Sequence, residues 1–454
     1  MKREDIDMAL NQISDQYIAE AAAPRRQRKK RWWSLAAAAM AFVLLFGFFG
    51  RPMVIRAQAV SLAEYPEYQW KYREEVKDDV RTLVDFFEEN IETVLSGSNG
   101  ENHTYSPINL YMAMSIVAEL ASDTSREQIL SLLGVGNIEA LRVRTNEIWN
   151  ACYRDDKDTS RLANSVWLDD GLAYNQAVMD RLATNYYTSV YQAELSDPKT
   201  VKDIHAWLNQ NTGNLLKKEV ENAASGFDQN TLLAIYSTVL FQAKWAIGAE
   251  FNPSRNTEEA FHTPGGDVTC TFMNHKLMQT NYYWAEDCSA VSLGLRGPFN
   301  MWFILPDEGV TVDDVLASGS YMGLIMNQYE EGVSGEKYMK VNLSIPKFDV
   351  RWSSDLKDSL VALGVTDVFS ETLADFSESI QGPIYLTGVN QSTRVCIDEE
   401  GVTAASYIEI PGATSPMPPE EIIDFVVDRP FIFIIKNSYG IPLFAGVVND
   451  PTKQ

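Results

Sequence analysis

Residues 399–425 read EEGVTAASYIEIPGATSPMPPEEIIDF, and this stretch limits the fold more than any other in the 454-residue chain. It is long, poor in charge in its middle and rich in Gly, Ala, Ser, Thr and Pro. Compact domains seldom carry so long a structureless loop without a functional reason. Yet Val402–Ile410 alternates as a half-buried strand would: Val402, Ala404, Ser406, Ile408 and Ile410 face one way, and Thr403, Ala405, Tyr407 and Glu409 the other. Gly401 supplies a pivot before it, and the small residues that follow can slide between strands with little packing penalty. Beyond it, PGATSPMPP is extended, exposed and open to proteases. A plain linker would not need the alternation; an edge strand is the alternative. The face carrying Val402 is small or apolar and suits burial in a sheet.

The rest of the chain has the makings of large sheets. The runs TLLAIYSTVLFQAKW, MWFILP and FIFII are apolar enough for strands buried on both faces. VNLSIPKFDVRW alternates until Pro346 interrupts it. Helix signals come earlier. In YSPINLYMAMSIVAELAS, Ser106 is an N-cap, Pro107 occupies the first helical position, and Leu110, Met114, Val117 and Ala121 share one face. TSRE, Thr124–Glu127, reads as a capping box opening a second helix, and DIHAWLNQNTGNLL as another ending near Gly213. Helices early and strands late predict an α+β domain with large, mainly antiparallel sheets over residues 78–454.

The N-terminus has a different character. RRQRKKR precedes an uncharged run from Trp32 to Gly50, whose 19 residues span roughly 28 Å as a helix, enough to cross a bilayer core. The basic flank places residues 1–31 in the cytoplasm as a short tail, with residues 32–50 a transmembrane signal-anchor and residues 51–77 a stalk. The alternative is a secreted protein cleaved after Ala59, since Ala57-Gln58-Ala59 has small-x-small form. Residues 1–51 hold nine Lys/Arg against five Asp/Glu, a net of +4, so the overall charge of −24 leaves −28 on the remainder. That balance disfavours nucleic acid as a partner and reads as a solvated acidic surface. A basic flank without a lipobox cysteine, before an exported domain, points to a bacterial membrane protein facing outward.

Catalytic chemistry is not visible. The histidines are His103, His205, His262 and His275, and none lies near a nucleophile or metal motif; His205 reads as a hydrogen-bonded core histidine. Cys152, Cys270, Cys288 and Cys396 form no CxxC pair and read as buried thiols with at most one bridge. Neither glycine-rich phosphate motif occurs, and the adjacent pairs Glu399-Glu400 and Glu420-Glu421 point apart in an extended chain. No catalytic residue, metal ligand or cofactor is expected.

Residues 425–435, FVVDRPFIFII, resemble the C-terminal signature of the serpins. NHTYSPINLYMAMSIVAELASDTSREQILSLLGV, RLANSVWLDDGL, LFQAKWAIGAEF, ILPDEG, LSIPKF, LGVTDVF, ADFS, IDEEGVTAA and PLFAGVVNDP resemble serpin motifs in family order over about 375 residues. The resemblance implies a monomeric suicide inhibitor of serine proteases. A protease attacks the exposed loop, and the loop then inserts into the central sheet, trapping the acyl-enzyme; serpin loop insertion is itself a standard example of strand addition and released strain. It implies a hinge at Glu399, Glu400, Gly401, Val402, Thr403, Ala404, Ala405 and Ser406, with Val402 departing from the usual Thr or Ser. Family spacing puts the scissile residue at Ser415, with Thr414, Pro416 and Met417 as neighbouring candidates. None is basic, which favours elastase- or subtilisin-like targets over trypsin-like ones. Lys244 and Trp245 match the point where the loop enters, and Ser106 the serine beneath the sheet. Ser237 and Gln391 stand where the family has Asn and His, and His205 where it has another Asn, so a rewired polar network is expected. A non-inhibitory serpin serving as a surface binding or chaperone-like protein is the alternative; such members usually carry bulky or charged hinges.

Overall fold

The computed structural model describes residues 59–66, 83–155, 159–217, 220–221, 227, 231–402 and 421–453. The expected tail and anchor, residues 1–50, lie outside the described residues, as does most of the expected stalk. No helix among the described residues is long and apolar enough to cross a membrane.

The chain begins with β1 (Val60–Ser61), α1 (Val84–Leu95), β2 (His103–Tyr105), α2 (Pro107–Leu120), α3 (Asp123–Leu132) and α4 (Ile138–Cys152). It continues with β3 (Thr159–Leu168), β4 (Ala173–Tyr174), α5 (Gln176–Tyr186), β5 (Thr188–Gln192), α6 (Pro198–Asn211) and β6 (Leu233–Lys244). The strands β7 (Thr257–Thr263), β8 (Gly266–Trp284), β9 (Cys288–Leu295) and β10 (Phe299–Pro306) follow, then α7 (Val312–Ser318) and α8 (Ser320–Ile325). Last come β11 (Gly335–Pro346), β12 (Phe348–Asp355), α9 (Lys357–Ala362), β13 (Ile380–Gln381), β14 (Asn390–Asp398), β15 (Gly401–Val402), β16 (Ile422–Val426), β17 (Phe431–Asn437) and β18 (Pro442–Val448).

Two sheets organise these elements. A seven-stranded sheet runs β1-β5-β3-β6-β15-β14-β12, and a nine-stranded one contains β16-β11-β8-β9-β10-β17-β18-β2 with β7 on β8. The β3–β5 and β11–β16 pairs are parallel; the other ladders of both sheets are antiparallel. The apolar runs singled out above become β6, β10 and β17, and every residue of β17 and β18 is buried. Part of the expected stalk belongs to the domain instead: Val60 and Ser61 pair with β5, the Leu62 amide donates to Val190 O, and Tyr65 packs edge-on against Tyr187. An extra edge strand satisfies backbone groups that β5 would otherwise expose.

The helix α2 forms as expected at its start, where Ser106 Oγ accepts from the Asn109 amide behind Pro107. It is not one-faced, however. All its residues except Ala113 are buried, because sheets and helices surround it. The expected capping box at Thr124 does not form: α3 starts two residues earlier behind Ser122, and the Thr124 hydroxyl donates to Asp367 instead. Glu119, near the end of α2, is fully buried and ties three helices together through Arg142 of α4 and Arg181 and Tyr186 of α5. Burial pushes its carboxyl upward, but those donors outweigh it and hold the group below its ordinary value.

Candidate loop-insertion site

The hinge starts a strand and then leaves the described structure. Gly401 and Val402 form β15, pairing with Lys244 and Ala243 of β6 on one side and with Asp398 and Ile397 of β14 on the other. At that level β6 and β14 stand two strand spacings apart, about 9.6 Å. Beyond Val402 no ladder joins β6 to β14 among the described residues. A cavity of about 40 Å³ lies there, with Val402, Val239, Phe241, Thr393, Val395 and Phe444 in its wall. Its volume suits a few small side chains or about three waters.

Local chemistry fixes the entrance. The Asp398 carboxylate accepts from the amides of Glu400 and Gly401 and closes the turn. Gly401 has φ +148°, and a Cβ there would lie 2.6 Å from Lys244 Cα and closer still to Ala243 O. Only glycine fits so near a neighbouring backbone in that conformation. Trp245, fully buried, donates its amide to Glu400 O and its indole Nε1 to Asp398 O at 2.8 Å. Lys244 lies 3.8 Å from the Glu400 carboxylate. Glu399 turns away to meet Lys347 at 2.5 Å and the Asn256 amide. Burial raises its carboxyl, but the Lys347 and Asn256 donors prevail and hold it below its ordinary value.

The far end of the slot is spanned by the start of α2. The Ser106 amide donates to Gln391 Oε1 at 2.8 Å while Gln391 Nε2 donates to Ser106 O at 3.1 Å, so one side chain grips both sides of a backbone unit. Ser106 Oγ donates to Leu443 O on β18. From the opposite bank, Ser237 Oγ donates to Asn109 Oδ1 at 3.1 Å. Thus β14 and β6 each hold α2 through an uncharged contact. The geometry brings Ser106, Gln391 and Ser237 together, and Lys244, Trp245 and Glu399–Val402 together at the other end. His205 lies half-buried on α6, and its Nε2 has no hydrogen-bond partner among the described residues, contrary to the expected bonded histidine. Burial lowers its pKa. Thr403, Ala404, Ala405, Ser406, Thr414, Ser415, Pro416 and Met417 lie outside the described residues.

Sequence reasoning missed Asn109, Asp398, Asn256 and Lys347. Asn109 was within reach, three residues after the N-cap; Lys347 and Asn256 are brought to Glu399 only by tertiary folding. The four cysteines are free, with Cys152, Cys270 and Cys288 buried and Cys396 partly so.

A large mixed sheet in which the two residues Gly401 and Val402 are, among the described residues, the link between β6 and β14 sets the class of fold. A family model described as serpin (serine protease inhibitor) matches residues 84–451, and the chain belongs to that family. It is 28% identical over 379 residues to Serpin-ZX of Arabidopsis thaliana, covering 78% of this chain and 93% of that protein. It is 26% identical over 401 residues to alpha-1-antiproteinase S of Cavia porcellus, covering 82% and 91%. Among solved structures, the thermophilic serpin tengpin in its native state aligns with a TM-score of 0.73 at 23% identity, over 87% of this chain and all of that one.

Proposed function

We propose that this serpin is a suicide inhibitor of serine proteases with small or apolar specificity, elastase- or subtilisin-like, attacked near Ser415. The observation that carries the reading is the slot between β6 and β14 with β15 already started in it. Were the β15 register to continue for two more residues, Ala404 would fall between Phe241 and Val395, both of which line the cavity. Alanine suits that space; Thr403 and Ala405 would face outward. The stored strand is the spring: cleavage frees it, and insertion continues β15 between β6 and β14. We further propose, from the sequence, that residues 32–50 anchor the chain and that the domain faces outward.

Cutting the loop with a protease and comparing thermal unfolding before and after tests the insertion step. A cleaved chain that melts well above the intact one supports the reading; an unchanged midpoint favours a non-inhibitory binding protein. In parallel, Ala404→Arg would force a long cation between Phe241 and Val395 in a small cavity whose wall already holds Arg394, and is expected to turn inhibitor into substrate.

A further inference from the structure

We infer that Tyr338 and Ile422 form a contact patch for the attacking protease, separate from the loop it cuts; this deepens the inhibitor reading and rests on it. The register places the two together. Lys340 of β11 lies opposite Ile422 of β16, so Tyr338, two residues earlier on the same face, is its diagonal neighbour within side-chain reach. The other face of these strands is core, with Val341, Met339 and Phe425 buried. The outer face is otherwise polar: Asn342 donates to Asp424, and Tyr338 Oη reaches Gln279 at 3.4 Å. Against that background Tyr338 is 45% exposed and Ile422 56%.

Their position identifies what covers them. The strand β16 is the outermost strand of its sheet, where an exposed apolar residue is a liability unless something packs on it. It is also where the loop rejoins the described structure. Ser415 precedes Glu421 by six residues, at most about 21 Å of extended chain. A protease of about 230 residues is roughly 45 Å across, so one seated on Ser415 is large enough to reach this face. On the patch's own face the charges are of mixed sign, Glu336, Lys340 and Asp424, so the patch offers apolar contact within a polar surround rather than a single-sign field for steering. Its partner is the apolar rim beside the protease's cleft, and it would choose among proteases that share the same pocket.

The test compares the full chain with a Tyr338→Ser/Ile422→Ser variant against subtilisin and pancreatic elastase. The readout is the second-order rate of loop cleavage, counting trapped and released product together. With at least one of the two, the variant is expected to lose on the order of tenfold, as for one aromatic anchor. Its melting temperature and its ratio of trapped to released product should stay unchanged. Asp424→Asn, on the same face, serves as the control and should leave the rate unaltered. Rates within twofold of the parent with both proteases overturn the patch. Loss of the inhibitor reading looks different: the parent itself is cleaved without trapping, and the cleavage rate still reports on the patch.

Discussion

Replacing Gly401 by alanine should expel the hinge from the sheet. The added methyl would sit 2.6 Å from Lys244 Cα and closer to Ala243 O, both backbone atoms that cannot swing aside. The φ of +148° adds about 1–3 kcal/mol of strain for a residue with a Cβ. Leaving the slot forfeits the burial of Val402, about 2 kcal/mol, and the bond from the Trp245 amide to Glu400 O, about 1 kcal/mol. Expulsion thus limits the loss to about 3 kcal/mol, or roughly 6 °C in melting temperature at about 2 °C per kcal/mol for a large domain. The assay pairs thermal unfolding with hydrogen exchange at Ala243 and Val402. Gly309→Ala provides the control, because Gly309 has φ +86° but nothing within 4 Å of the new methyl. If Gly401→Ala shifts the midpoint no more than Gly309→Ala and leaves exchange unchanged, the close approach at the entrance is not what this structure says it is.

Further tests follow from the same contacts. Burial lowers the pKa of His103, His205 and His275, which favours their neutral forms in the fold. Their contribution is complete above the unfolded value near 6.5 and is lost as pH falls through the folded values, so melting temperature should drop between pH 7.5 and 5.5. His262 opposes this, since its hydrogen bond to Asp267 raises its pKa and adds stability that fades as pH rises. His103→Gln should flatten the acid slope; an unchanged slope excludes that residue as a source. Glu399→Gln removes the charge facing Lys347 and should cost about 1 kcal/mol, discounted for the partly exposed lysine, while increasing exchange at Val402. Because its carboxyl is held low, Glu399 stabilises the fold above the unfolded pKa, and this is lost as pH falls through the folded value. Parent and variant should therefore converge in acid, and a gap that persists would point to packing rather than charge.

How far the sequence revealed this site depends on distance along the chain. Ser106 and Pro107 announced the start of α2 because capping is local, but the all-round burial of that helix depends on sheets contributed from elsewhere. Thr124 had the spacing of a cap, but the helix starts behind Ser122 and the Thr124 hydroxyl is taken by Asp367, 243 residues away. The hinge was legible, since Gly401 and the alternation from Val402 state a backbone requirement in residue types. The slot was not: β6 and β14 are separated by well over a hundred residues, and no local pattern records that they stand apart. Family resemblance pointed to Ser237 and Gln391 as replacements, but only the fold shows that one holds Asn109 and the other both sides of Ser106.

The most direct measurement is to mix the full chain with pancreatic elastase and with subtilisin, then run denaturing gels and mass spectrometry. The account predicts a covalent band near the summed masses less one released C-terminal fragment, whose new N-terminus falls within residues 415–418. Clean cleavage in that window with the protease left fully active, and no band from either enzyme, would contradict it.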